Sequence, residues 1–112
     1  MPTDASFVEF VCEQAGLGPR LASRKMFGEY ALYLDGKVVA FACDNLLYIK
    51  PTDAGRALLP EAELQPFYPR GRPHLRVGAE LDDRDLVRRV LLATHDALPA
   101  PKPKSPRRPA RR

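Results

Sequence analysis

Two cysteines and two histidines are all that this 112-residue chain supplies. Cys12 and Cys43 stand far apart and belong to no C-x-x-C or Cys/His cluster, so they read as free, mostly buried thiols. A disulfide does not suit the reducing cytoplasm expected below. His74 and His95 are lone residues with no signalled partner, and a surface position is expected for both. Long apolar runs are missing too. The stretch from Val38 to Cys43 is far too short to span a bilayer. The N-terminus, MPTDASF, lacks the basic region and apolar core of a secretory signal. A cytoplasmic protein with no membrane partner is the expectation.

What is present is enough for one domain with its own core. The formal net charge is +4, but it is unevenly placed. Residues 99–112 carry Lys102, Lys104, Arg107, Arg108, Arg111 and Arg112 and no acid. The remaining residues hold 12 basic and 14 acidic side chains, so the body is close to neutral. Basicity is a property of the tail. This Pro-rich segment cannot bury a core and reads as a disordered extension that can hold nucleic acid without specificity. The domain boundaries expected are 1–98 for the folded body and 99–112 for the tail.

Residues 4–17 show helical spacing, with Phe7, Phe10, Val11 and Gln14 on one side and Asp4 or Ser6 as cap. The stretch RKMFGEYALYLDGKVVAF follows, and its Asp35-Gly36 dipeptide signals a two-residue hairpin turn. That turn sets Leu34 opposite Lys37, Leu32 opposite Val39, Tyr30 opposite Phe41 and Gly28 opposite Cys43, a set assigned to the core. A further strand, Leu46 to Lys50, follows Asp44-Asn45; a three-residue turn is preferred there because it buries Leu47 and Ile49. A short helix from Thr52 and Asp53 to about Leu59, a Pro-rich hairpin over 65–79 turning at Pro69-Arg70-Gly71-Arg72, and a last helix opened by Asp82, Asp83 and Asp85 complete the order. The pattern α-β-β-β-α-β-β-α predicts an α+β two-layer sandwich: an antiparallel sheet of about five strands with helices on one face.

The succession R-K-M-F-G-E-Y, the D-G turn and L-Y-I-K resembles the TfoX N-terminal domain family. Those proteins carry Arg-x-Met-Phe-Gly-x-Tyr, Asp-Gly and Leu-Tyr-Leu-Lys; Arg24, Met26, Phe27, Gly28, Tyr30, Asp35, Gly36, Leu47, Tyr48, Ile49 and Lys50 fall on those positions. The resemblance runs from about residue 5 to 97. Two departures stand out. Leu75 to Leu81 replaces a Tyr-rich polar strand, and the basic tail stands where full-length members carry a second domain. The resemblance implies a secretion-chaperone-like two-layer fold, a tendency to dimerise, and kinship with regulators of transformation competence that act with the transcription machinery.

No residues form a catalytic constellation. Glu29 is the lone acid on the hairpin motif and pairs more naturally with Arg24 or Lys25 than it serves as a base. Gly28 and Gly36 lack the strand–loop–helix setting of a phosphate loop. No enzyme, cofactor or metal is expected. The outer face of the hairpin, with Phe27, Ala31, Tyr33, Val38 and Ala40, is apolar enough to receive a protein partner or a second copy. Arg24, Lys25, Arg70, Arg72 and Arg76, beside Tyr33 or Tyr48, are candidate nucleic-acid contacts together with the tail, although arginines also suit ordinary strand edges.

Overall fold

Two tight turns organise the sheet. Asp35 (φ 49°) and Gly36 (φ 88°) both occupy the left-handed region and fold β2 (Glu29–Leu34) back onto β3 (Lys37–Cys43). Asp44 (φ 52°) and Asn45 (φ 58°) do the same between β3 and β4 (Leu46–Ile49). This second turn has two residues, pairing Cys43 with Leu46, and not the three residues expected. These features come from a computed structural model that describes residues 3–26, 28–66 and 70–99.

The register of β2 against β3 departs from a plain hairpin. Leu34 pairs with Lys37 and Tyr33 with Val38, but Leu32 pairs with Ala40, which leaves Val39 as an extra residue. Such a bulge turns over the rest of the strand. Ala40 and Ala42 therefore face the core, and Phe41 faces the other way. This corrects two expectations at once. Ala40 is fully buried in the main hydrophobic cluster and is no part of the outer face, while Phe41 lies outside that cluster. Leu47 and Ile49 are buried as anticipated, because Ile49 pairs with Ala40 and Leu47 with Ala42.

Among the described residues the sheet has six strands where about five were expected. The additional one is β1 (Leu21–Met26), an edge strand paired along its length with β2. Its sequence LASRKM has little apolar alternation, which fits an edge whose charges discourage further pairing. The strand order is β1-β2-β3-β4-β6-β5, antiparallel throughout, with β5 at Glu63–Gln65 and β6 at His74–Val77. The turn expected at Pro69 to Arg72 lies partly outside the described residues.

Among the described residues three α-helices cover one face. In α1 (Ala5–Ala15) Val8, Val11 and Ala15 are buried, while Phe10 is 38% exposed despite its place in the sequence pattern. Asp4 occupies the N-cap position, but its side chain makes no capping hydrogen bond and Asp4 exchanges hydrogen bonds with Asn45 in the β3–β4 turn instead. In α2 (Asp53–Leu58) the Thr52 hydroxyl accepts the Gly55 N–H at 3.0 Å. Asp83 accepts the Leu86 N–H at 3.1 Å and opens α3 (Arg84–Ala97), which buries Val87, Val90, Leu91 and Thr94. Val87, Val90 and Leu91, with the buried residues of α1, form one cluster with Leu32, Leu34, Ala40, Ala42, Leu47, Ile49, Leu75 and Val77. The result is the α+β two-layer sandwich. Lys37 joins the layers: its Nζ donates to the carbonyls of His95 and Leu98, both at 2.9 Å. A cation there suits the negative end of α3.

Candidate interaction face

Antiparallel partners share a face, so the pairing lists the side chains on the side of the sheet away from the helices. One row crosses it: Arg24, Ala31, Phe41, Tyr48, Arg76 and Glu63. Ala22, Tyr33 and Val38 form a second row on the β1–β3 side. Lys50 and His74 extend the β4 and β6 side.

This face is only partly bare. Ala31 is 1% exposed and Tyr48 7%, whereas Tyr33, Val38 and Phe41 are half-buried. Tyr33, Val38 and Phe41, with the exposed Ala22 and the half-buried Leu46, carry the accessible apolar surface among the described residues. The Arg24 guanidinium lies 6.0 Å from the centroid of the Tyr33 ring, within cation–π range. Phe27 lies outside the described residues.

The candidate nucleic-acid contacts do not form one patch. Arg24 and Arg76 share a row but stand four strands apart, roughly 19 Å at the usual strand spacing. Lys25 pairs with Tyr30 and so belongs to the opposite side of β1. Arg76 lies 3.8 Å from Glu63. Arg70 and Arg72 are exposed in the connection to β6. The tail cations Lys102, Lys104, Arg107, Arg108, Arg111 and Arg112 lie outside the described residues.

Residues that the sequence reading had considered separately gather instead, Arg72 as a nucleic-acid candidate, His74 as a lone histidine, Lys50 as a motif position and Phe41 as a core residue. Phe41, Lys50, Pro51, Arg72, Pro73, His74 and Leu98 line a cleft of about 460 Å³. His74 is 8% exposed, against the surface position expected for it. Its Nδ1 lies 2.8 Å from the Arg72 carbonyl, and its ring meets Phe41 edge-on, with centroids 5.6 Å apart at 78°. Burial holds its pKa below the usual histidine value, and nearby Lys50 adds to the effect. The available signal was the period-two spacing of Tyr48 and Lys50, which puts Lys50, one residue beyond β4, on the same side as Tyr48.

Elsewhere on this face the Cys43 thiol is pushed up to about 11, first by burial and then by Glu29. His95 is the less buried histidine, with Nδ1 3.1 Å from Asp96. Among the described residues no three His, Cys, Asp or Glu side chains converge as metal ligands. No helix among them is long and apolar enough to cross a membrane.

Residues 13–98 match the TfoX N-terminal domain. The chain is also 44% identical over 104 residues to the uncharacterized 12.7 kDa protein in the trpE 5′ region of Spirochaeta aurantia, covering 93% of this chain and 90% of that relative.

Proposed function

The chain belongs to the TfoX N-terminal domain family, and from that premise we propose that it is a non-enzymatic regulatory module of the competence-regulator kind, acting in the cytoplasm through protein–protein contact. The carrying observation is the cross-strand pair of Tyr33 and Val38. Both are half-buried, on a side of the sheet that contributes nothing to the helix-covered core. Half-exposed apolar side chains on a sheet face suit association. The partner proposed is a second copy of the chain, with the transcription machinery as the wider context that the family supplies. Catalysis has no part in this reading. A thiol at about 11 is no nucleophile near neutral pH, and burial disfavours the charged form of His74.

The test is molar mass in solution, by light scattering over a dilution series. The wild-type chain is expected at twice the monomer's 12.5 kDa. Tyr33→Glu puts a charge in the contact and should leave the monomer. A wild-type chain that stays monomeric, or a Tyr33→Glu dimer of undiminished affinity, overturns the reading.

A further inference from the structure

The cleft at the β4–β6 end of the same face has a chemistry that dimerisation does not use. Two cations flank it. Lys50 Nζ and the Arg72 guanidinium make no hydrogen bond or ion pair to any described residue. Between them stand the half-buried Phe41 ring and the edge-on His74 ring. Pro51, Pro73 and Leu98 complete an apolar rim, and among the described residues no acid lines it.

The cleft continues. A neighbouring depression of about 420 Å³ shares Lys50 and Leu98 with it and reaches Tyr33, Gly36 and Val38. A third, of about 430 Å³, shares Tyr33 and Gly36 and reaches Arg24. Its one acid, Asp35, is already paired with Arg20 at 2.7 Å. Sharing lining residues in turn, the three depressions form an interrupted trough that starts at Arg72, Lys50 and Phe41, passes the β2–β3 turn and the end of α3, and ends at Tyr33 and Arg24. Its uncompensated charge is positive, although the body as a whole carries slightly more acid than base.

We infer that this trough binds single-stranded nucleic acid, with Lys50 and Arg72 on phosphates and Phe41 as a surface for an unpaired base. Alternating cations and rings are what a strand with exposed bases requires. A duplex keeps its bases stacked inside and offers nothing to a ring in a concave cleft. Charge complementarity selects a polyanion, and the aromatic rings favour a nucleic acid over an acidic peptide. The site lies on the folded body and is distinct from the tail. The sequence beyond Pro99, at the rim of the trough, adds six cations that raise affinity without choosing between single and double strands.

The experiment uses the full chain and a fluorescein-labelled decathymidylate, followed by anisotropy at several salt concentrations, with a duplex of equal length and a hexaglutamate peptide as comparisons. In one variant Lys102, Lys104, Arg107, Arg108, Arg111 and Arg112 are all changed to Gln, which silences the tail. That variant should still bind the single strand and prefer it to the duplex. Adding Lys50→Gln and Arg72→Gln should weaken binding about tenfold or more and lower the salt slope by about 1.4, the value for two phosphate contacts on a single strand. Phe41→Ala should cost about fivefold or more with little change in slope. Circular dichroism checks that each variant is folded, and the two charge substitutions carry the test should Phe41→Ala unfold. Binding that vanishes when the tail is silenced overturns the inference. So does binding indifferent to Lys50 and Arg72, or equal affinity for duplex. Hexaglutamate binding that depends on Lys50 and Arg72, with the oligonucleotide unaffected, would reassign the trough to an acidic protein segment. Tyr33 and Val38 border both the trough and the proposed dimer contact, but the substitutions scored here, at Lys50, Arg72 and Phe41, lie at the other end, so the loss of strand binding and the loss of the dimer are read by separate measurements.

Discussion

Gly55 of α2 lies against Thr94 of α3 so closely that a Cβ added to it would sit 3.0 Å from the Thr94 hydroxyl oxygen. The same Cβ would lie 3.1 Å from the Thr52 hydroxyl that caps α2. Thr94 is fully buried, and its hydroxyl has no hydrogen-bond partner among the described residues.

Gly55→Ala should therefore destabilise the fold. Crowding costs about 1–3 kcal/mol, which outweighs the gain of about 1 kcal/mol from better helix propensity. Thr94→Val should raise stability by about 1 kcal/mol, since it keeps the shape and removes an unsatisfied hydroxyl. Urea unfolding midpoints measure both. Thr94→Ala combined with Gly55→Ala should cost less than the sum of the two, because the neighbours share one space.

His74 predicts a pH dependence. Its folded-state pKa lies below the ordinary value because burial disfavours the charged form. The unfolded chain then binds the proton first as pH falls. Stability from this group is complete above about pH 6.5, declines as pH drops toward the folded-state pKa, and levels off below it. NMR titration of the ring should report the lowered value. His74→Gln should flatten the acid side of the stability profile in that window, and an unchanged profile would refute the link.

The Asp35-Gly36 turn, the position (though not the length) of the Asp44-Asn45 turn, the Thr52 cap, the acidic opening of α3 and the alternation of β2 were legible in the sequence, because each depends on residues close together in the chain. The bulge at Val39 was not. Nothing in KVVAFAC says that one valine is surplus; only pairing with Leu32 and Tyr33 decides it. From that one residue came the wrong placement of both Ala40 and Phe41. Strand β1 was missed because an edge strand need not alternate. The cleft was missed for a further reason. Phe41, Lys50 and Arg72 come from three separate segments, and no motif spans them. Of the arginines that were noticed, Arg72 lines the cleft, while Arg24 and Arg76 stand four strands apart on the sheet.

Lys37 ties the β2–β3 hairpin to the end of α3 through two charge-assisted hydrogen bonds. Lys37→Met keeps the aliphatic stem and loses both. The expected cost is about 1–3 kcal/mol. Amide hydrogen exchange should quicken at residues 95–98 before it quickens in the sheet. Uniform loss of protection across the chain would show that the lysine has no local role.

The Cys43 thiol, at about 11, is a poor nucleophile in the folded chain. At pH 8 only about a thousandth of it is thiolate. A disulfide reagent should modify half-buried Cys12 first and reach Cys43 on the timescale of unfolding. Rapid labelling of Cys43 under native conditions would contradict its burial.

The strand order also dictates when the domain can close. From Leu21 to Ile49 every pairing is between sequence neighbours, so a four-stranded meander can assemble from local encounters. Its helix-facing side chains, with those of α1, remain wet until α3 arrives from the other end of the sequence. The slow step of folding should then be the docking of α3. Core substitutions at Val87, Val90 and Leu91 would accelerate unfolding, and slow folding only so far as that docking is under way in the transition state.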